Sequence, residues 1–223
     1  MDSNKKYAAY FDHTLLRPTA TEQEILQLCE DAITHSLFSV CVNPCWLTAC
    51  KAALSASSVK LCTVIGFPLG ANETLTKLRE TELALQNGAD EIDCVINLGF
   101  LKSGKTQLMA NELKQLTAIC RGHALVKVIV ESGILSHDEL VVAIDLVNQS
   151  GAEFIKTSTG FAQTGATETA VQTMRQLGRP GLQIKASGGI KSADNFRKYV
   201  NLGASRIGAS QTVSILQELA RFQ

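Results

Sequence analysis

His13-Thr14-Leu15-Leu16-Arg17-Pro18 follows the first predicted strand and contains no glycine. At this place an open, doubly wound sheet usually carries the glycine-rich turn that lets its backbone approach a dinucleotide. The missing turn matters because the rest of the chain alternates strands and helices, a pattern that fits either an open sheet or a closed barrel. Short segments rich in Val and Ile predict eight strands, at residues 10–12, 38–42, 60–65, 91–96, 125–130, 153–157, 182–186 and 205–208. Helix signals fall between them. Thr21 with Glu24 and Ser136 with Glu139 match the capping box, and Met109, Leu113, Leu116 and Cys120 keep the spacing of one helix face. Gly88, Gly151 and Gly203 stand where a helix should stop in a left-handed residue. Eight units of about 28 residues each, the βαβ scale, leave no room for a linker. The expectation is an α/β chain, a single-domain (β/α)8 TIM barrel over residues 1–223.

Composition removes several function classes. With 45% hydrophobic and 19% charged residues, the chain can bury a core and is not expected to be disordered. Twenty-one basic residues balance 21 acidic ones, and no basic block argues for nucleic acid. The N-terminus, MDSNKKYAAYFDHTLL, lacks a signal-peptide core, and no apolar run approaches membrane-spanning length. A cytoplasmic protein is expected, with its seven cysteines acting as small buried hydrophobes. Cys41, Cys45 and Cys50 lack a His-Cys partner set, and His13, His35, His123 and His137 show no metal-ligand spacing, so no metal is expected.

One fragment repeats. Gly88-Ala89-Asp90-Glu91-Ile92-Asp93, Gly151-Ala152-Glu153-Phe154-Ile155-Lys156 and Gly203-Ala204-Ser205-Arg206-Ile207-Gly208 each join a helix stop to a strand with Ile at the fifth position. Side chains alternate along a strand, so an Ile packed outward sends its successor into the barrel. Asp93, Lys156 and Gly208 then point inward, and Ile184-Lys185 adds Lys185. A charged group inside a barrel is costly unless it is paired or used. One such group reads as a structural ion pair. Two lysines and an aspartate near strand C-termini, where barrel active sites form, read as chemistry. Lys127 and Glu131 share a face of the fifth strand, and two readings stay open: support for the site, or mutual pairing. Beyond the lysine strands lie Thr157-Ser158-Thr159-Gly160, Ser187-Gly188-Gly189 and Gly208-Ala209-Ser210. Small residues there expose backbone N–H groups to an anion, and barrels often hold a phosphate in their last two loops.

Asp12-His13-Thr14-Leu15-Leu16, Glu91-Ile92-Asp93-Cys94-Val95-Ile96-Asn97, Phe154-Ile155-Lys156-Thr157-Ser158-Thr159-Gly160, Ile184-Lys185-Ala186-Ser187-Gly188-Gly189 and Arg206-Ile207-Gly208-Ala209-Ser210 resemble the deoxyribose-phosphate aldolase family through nearly the whole chain. The resemblance implies a (β/α)8 barrel without metal or organic cofactor. It implies reversible cleavage of 2-deoxy-D-ribose 5-phosphate to D-glyceraldehyde 3-phosphate and acetaldehyde. By the same resemblance, Lys156 is the Schiff-base lysine, Lys185 the second lysine, Asp93 the acid/base aspartate and Asp12 the carboxylate that contacts Lys185. Thr159, Gly160, Gly188, Gly189, Gly208, Ala209 and Ser210 are the expected phosphate-binding set. Cys41, in Cys41-Val42-Asn43-Pro44, resembles a strand-end cysteine near the family's site; it is read either as reactive toward unsaturated aldehydes or as packing. Gln211 departs from the small or hydroxyl residue often found there, and Arg221-Phe222-Gln223 lacks the terminal tyrosine of some members. The competing readings are another phosphate-sugar barrel enzyme, whether a different Schiff-base aldolase or an isomerase, and a noncatalytic phosphometabolite-binding barrel. Symmetry base rates make a homodimer the expected assembly.

Overall fold

The computed structural model describes residues 3–221. Its elements run α1 (Ser3–Ala8), β1 (Phe11–Leu15), α2 (Glu22–Thr34), β2 (Ser39–Val42), α3 (Leu47–Ala53), β3 (Lys60–Ile65), α4 (Thr74–Gln86), β4 (Glu91–Val95), α5 (Leu98–Lys102), α6 (Thr106–Cys120), β5 (Leu125–Ile129), α7 (His137–Ser150), β6 (Phe154–Lys156), α8 (Glu168–Leu177), β7 (Gln183–Ser187), α9 (Ala193–Asn201), β8 (Arg206–Ala209) and α10 (Thr212–Arg221). Each strand pairs in parallel with the next, and β8 pairs with β1, closing an eight-stranded (β/α)8 barrel. Among the described residues no helix is long and apolar enough to cross a membrane. The expected terminal departure at Phe222 and Gln223 lies outside the described residues.

The local signals act as read. Thr21 and Ser136 each form a complete capping box, satisfying N–H groups that a helix start leaves open. Gly151 ends α7 at φ 87°, in the left-handed region that favours glycine. Met109, Leu113, Leu116 and Cys120 form the buried stripe of α6. The strand isoleucines Ile92, Ile155, Ile184 and Ile207 sit in the main apolar core together with helix residues such as Val171, Phe196 and Ile215. That places the core between barrel and helices. Each such side chain contributes roughly 1.5–3 kcal/mol through burial. A second, small apolar cluster of Leu16, Cys41, Cys62 and Val64, with Phe67 against it, lies apart from that core.

Three strands run further than expected at their C-terminal ends. β1 runs to Leu15, pairing Thr14 with Cys41 and Leu15 with Val42, so half of the glycine-free hexapeptide is strand and not turn. β7 ends at Ser187 and β8 at Ala209, each one residue later than expected. In all three cases polar or small residues belong to the strand, because this barrel interior accepts them.

Candidate active site

The strand register decides who meets whom. Asp93 pairs in register with Lys127, Lys156 with Lys185, and Lys185 with Arg206. With alternate residues facing inward, Asp12, Glu91, Asp93, Lys127, Lys156, Lys185 and Arg206 converge inside the barrel, all buried. Asp93 is the hub. Its Oδ2 accepts from Lys156 Nζ at 2.8 Å and from Lys185 Nζ at 2.7 Å, and its Oδ1 accepts from Lys127 Nζ at 2.8 Å. Lys127 Nζ also pairs with Glu91 at 2.6 Å. Asp12 forms an ion pair with Lys185, and its Oδ1 accepts from Arg206 at 2.6 Å and from Ser39 Oγ at 2.7 Å. Arg206 reaches Glu91 at 3.0 Å and stacks over the Phe38 ring, 3.5 Å from its centroid.

Four cations face three carboxylates in this interior, so loss of one proton brings the network to balance. Burial opposes charge on Asp93, yet Lys127, Lys156 and Lys185 hold its carboxyl well below the usual range. Asp12 is likewise held low, its burial outweighed by Lys185, Lys127 and Arg206. Burial works against charge on Lys185 too, but Asp12 and Asp93 raise it above an ordinary lysine. The same contest raises Lys127, with Asp93 the strongest attraction. Lys185 and Lys127 therefore hold their protons, and Asp93 stays ionised.

A cavity of about 430 Å³ opens above this layer at the C-terminal ends of the strands. Lys156 lines it and is the only member of the charge network to do so among the described residues. Every expected anion-binding residue lines it as well: Thr159, Gly160, Gly188, Gly189, Gly208, Ala209 and Ser210. Gly208 has a second task. A Cβ there would lie 3.1 Å from Lys185 Cε and 3.0 Å from Ser187 Cβ, so the missing side chain is the slot through which Lys185 reaches Asp93. Thr159 differs from the rest, because its N–H and hydroxyl already donate to Glu131. Gln211 lies outside the lining.

Cys41 is fully buried in the small apolar cluster and does not line the cavity. Lys127 and Glu131 do not meet: Lys127 serves Asp93 and Glu91, while Glu131 lies beyond the end of β5. Among the described residues two clusters could offer metal ligands, Cys41 with Cys62 and Asp93, and Asp12 with Cys62 and Glu91. Their carboxylates are already bound to ammonium or guanidinium groups, and a dication would enter a layer with surplus positive charge. The sequence reading missed Glu91 and Arg206 in the network, and Arg17 and Lys191 as cations on the cavity wall. Glu91 and Arg206 carried a usable signal: each stands two residues before a residue read as inward.

The cavity brings one buried amine and several small-residue loops to a common space, an arrangement that suits an electrophile carrying an anionic group. The family model described as "DeoC/LacD family aldolase" matches residues 6–219. A protein of Clostridium kluyveri named deoxyribose-phosphate aldolase is 45% identical over 214 residues, covering 96% of this chain and 98% of that one. Deoxyribose-phosphate aldolase 1 of Staphylococcus aureus is 47% identical over 214 residues, covering 96% and 97%. Among solved structures, the deoxyribose phosphate aldolase of Aeropyrum pernix, described as a unique tetramer, superposes with a TM-score of 0.92 at 32% identity, covering 100% of this chain and 94% of that one. The chain therefore belongs to the DeoC/LacD family of aldolases.

Proposed function

We propose that the protein reversibly cleaves 2-deoxy-D-ribose 5-phosphate to D-glyceraldehyde 3-phosphate and acetaldehyde, with Lys156 as the Schiff-base nucleophile. The observation that carries the assignment is access. Lys156 and Lys185 bind the same Asp93 oxygen, but Lys156 alone lines the cavity. Neutral Lys156 attacks the open-chain aldehyde carbon, and loss of water gives a protonated imine. The imine draws the electrons of the breaking carbon–carbon bond, leaving an enamine and releasing glyceraldehyde 3-phosphate. Protonation of the enamine carbon and hydrolysis return acetaldehyde and the amine.

Protons needed for loss of water from the carbinolamine and for the enamine carbon, and the proton lost from the sugar hydroxyl, move through the Asp93 oxygen that Lys156 and Lys185 share. Asp12 fixes Lys185 from the other side. The phosphate is seated by the Gly188-Gly189 and Gly208-Ala209-Ser210 loops, with Arg17 and Lys191 adding positive charge. For assembly, we read a symmetric homo-oligomer with a dimer as its simplest form.

The test is borohydride reduction in the presence of acetaldehyde, followed by peptide mapping. An ethyl group on Lys156, absent in Lys156→Ala, is the expected result. A label on Lys185 instead would reverse the two roles.

A further inference from the structure

Glu131 is a left-handed residue at φ 52°, a backbone conformation uncommon for a side chain of this size. It is 4% exposed, and no cation pairs with its carboxylate among the described residues. A buried carboxylate in a strained backbone persists only when its surroundings over-determine it. Among the described residues, all of its side-chain partners come from one residue: Thr159 N–H lies 3.2 Å from Oε2 and 3.3 Å from Oε1, and the Thr159 hydroxyl donates to Oε2. That hydroxyl in turn accepts from Phe161 N–H at 3.1 Å. Two further contacts weld the loop after β5 to the loop after β6. Ser132 N–H donates to Thr157 O at 2.8 Å, and a Cβ on Gly133 would lie 2.4 Å from Thr164 O.

We propose that Glu131 is a positioning residue for the sugar-phosphate reaction. Acting through Thr159, it fixes the cavity wall at residues 159–161, immediately beyond Lys156, and does not line the cavity itself. Thr159 then serves as the clasp for this wall and not as a phosphate ligand, because its two donors are already committed. A five-carbon sugar phosphate spans from Lys156 to the glycine loops and needs that wall in register. Acetaldehyde needs only the amine. The inference rests on the reading of Lys156 as the nucleophile.

Glu131→Gly keeps the left-handed backbone accessible while removing the carboxylate, so the loss of the clasp is separated from the strain. In this variant kcat/KM for 2-deoxyribose 5-phosphate falls by about tenfold to a hundredfold, the scale of a small misplacement. Acetaldehyde trapping on Lys156 stays within about twofold of wild type. Thr159→Val shows the same split, and Thr159→Ser recovers most of what Thr159→Val loses. The double variant Glu131→Gly with Thr159→Val is no worse than the poorer single one, as expected for two ends of one contact. Unchanged sugar-phosphate kinetics in Glu131→Gly, an equal loss in acetaldehyde trapping, or additive losses in the double variant would each overturn the clasp. Wild-type turnover without a label on Lys156 would overturn the nucleophile reading and this one with it.

Discussion

Lys185→Met fills the slot beside Gly208 with an unbranched side chain one atom shorter and removes its charge. Lys156 Nζ and Lys185 Nζ lie 2.8 Å and 2.7 Å from the same Asp93 oxygen, so they are at most about 5.5 Å apart. At that separation and an effective dielectric near 20, two unit charges repel by about 3 kcal/mol, or about two pH units in a protonation equilibrium. The variant also leaves Asp93 with one fewer ammonium, which strengthens its hold on the proton of Lys156. Both effects have the same sign. The alkaline limb of imine formation should therefore move upward by about two pH units. The assay is the initial rate of ethyl-Lys156 formation with acetaldehyde and borohydride across pH, which reads imine formation without the later proton transfers. A limb that stays in place or moves to lower pH would refute the account of Lys185 as a charge that acts on Lys156 across their shared Asp93 oxygen.

Three further outcomes follow from the same geometry. Ser210→Asp puts a like charge beside the phosphate loops and should raise KM for the phosphorylated sugar, while trapping by acetaldehyde is retained; steady-state kinetics with phosphorylated and unphosphorylated deoxyribose measure the difference. Gly208→Ala forces a Cβ to within 3.1 Å of Lys185 Cε, so turnover should drop and stability should fall by about 1–3 kcal/mol in chemical denaturation. Asp12→Asn leaves Arg206 and Lys185 without their shared partner and should cost about 3–5 kcal/mol near pH 7. The Asp12 carboxyl is lowered in the fold, so its contribution is complete above the unfolded value of 3.8 and is lost as pH falls below it. The gap between wild type and Asp12→Asn should accordingly narrow in acid, as denaturation curves at descending pH would show.

The barrel was legible because its outward faces obey simple rules. Ile92, Ile155, Ile184 and Ile207 pack against helices, so their successors had to turn inward. Glu91 and Arg206 obey the same alternation, but they lie two residues before Asp93 and Gly208, deeper in the barrel than the strand ends where barrel active sites form. What alternation cannot supply is the stagger between strands, which sets Asp93 against both lysines and against Lys127. It also fails where a strand stops. Glu131 was read as continuing the face of Lys127, but β5 ends at Ile129 and the left-handed turn at Glu131 sends its carboxylate to Thr159 instead. At β1 the error ran the other way: polar Thr14 looked like a turn, yet an interior built from polar groups lets the strand continue.

The interior charges are divided along the chain. Asp12, Glu91 and Asp93 all come from the first four strands, and Lys127, Lys156, Lys185 and Arg206 all come from the last four. A half-barrel of either kind would enclose charge of a single sign, which a low-dielectric interior does not tolerate. Each half is thus the counter-ion of the other. The Asp12–Arg206 contact, which joins residues 194 positions apart, can form only when the ring is shut. The groups assigned to catalysis thereby also disfavour an incomplete barrel, coupling closure of the fold to assembly of the site.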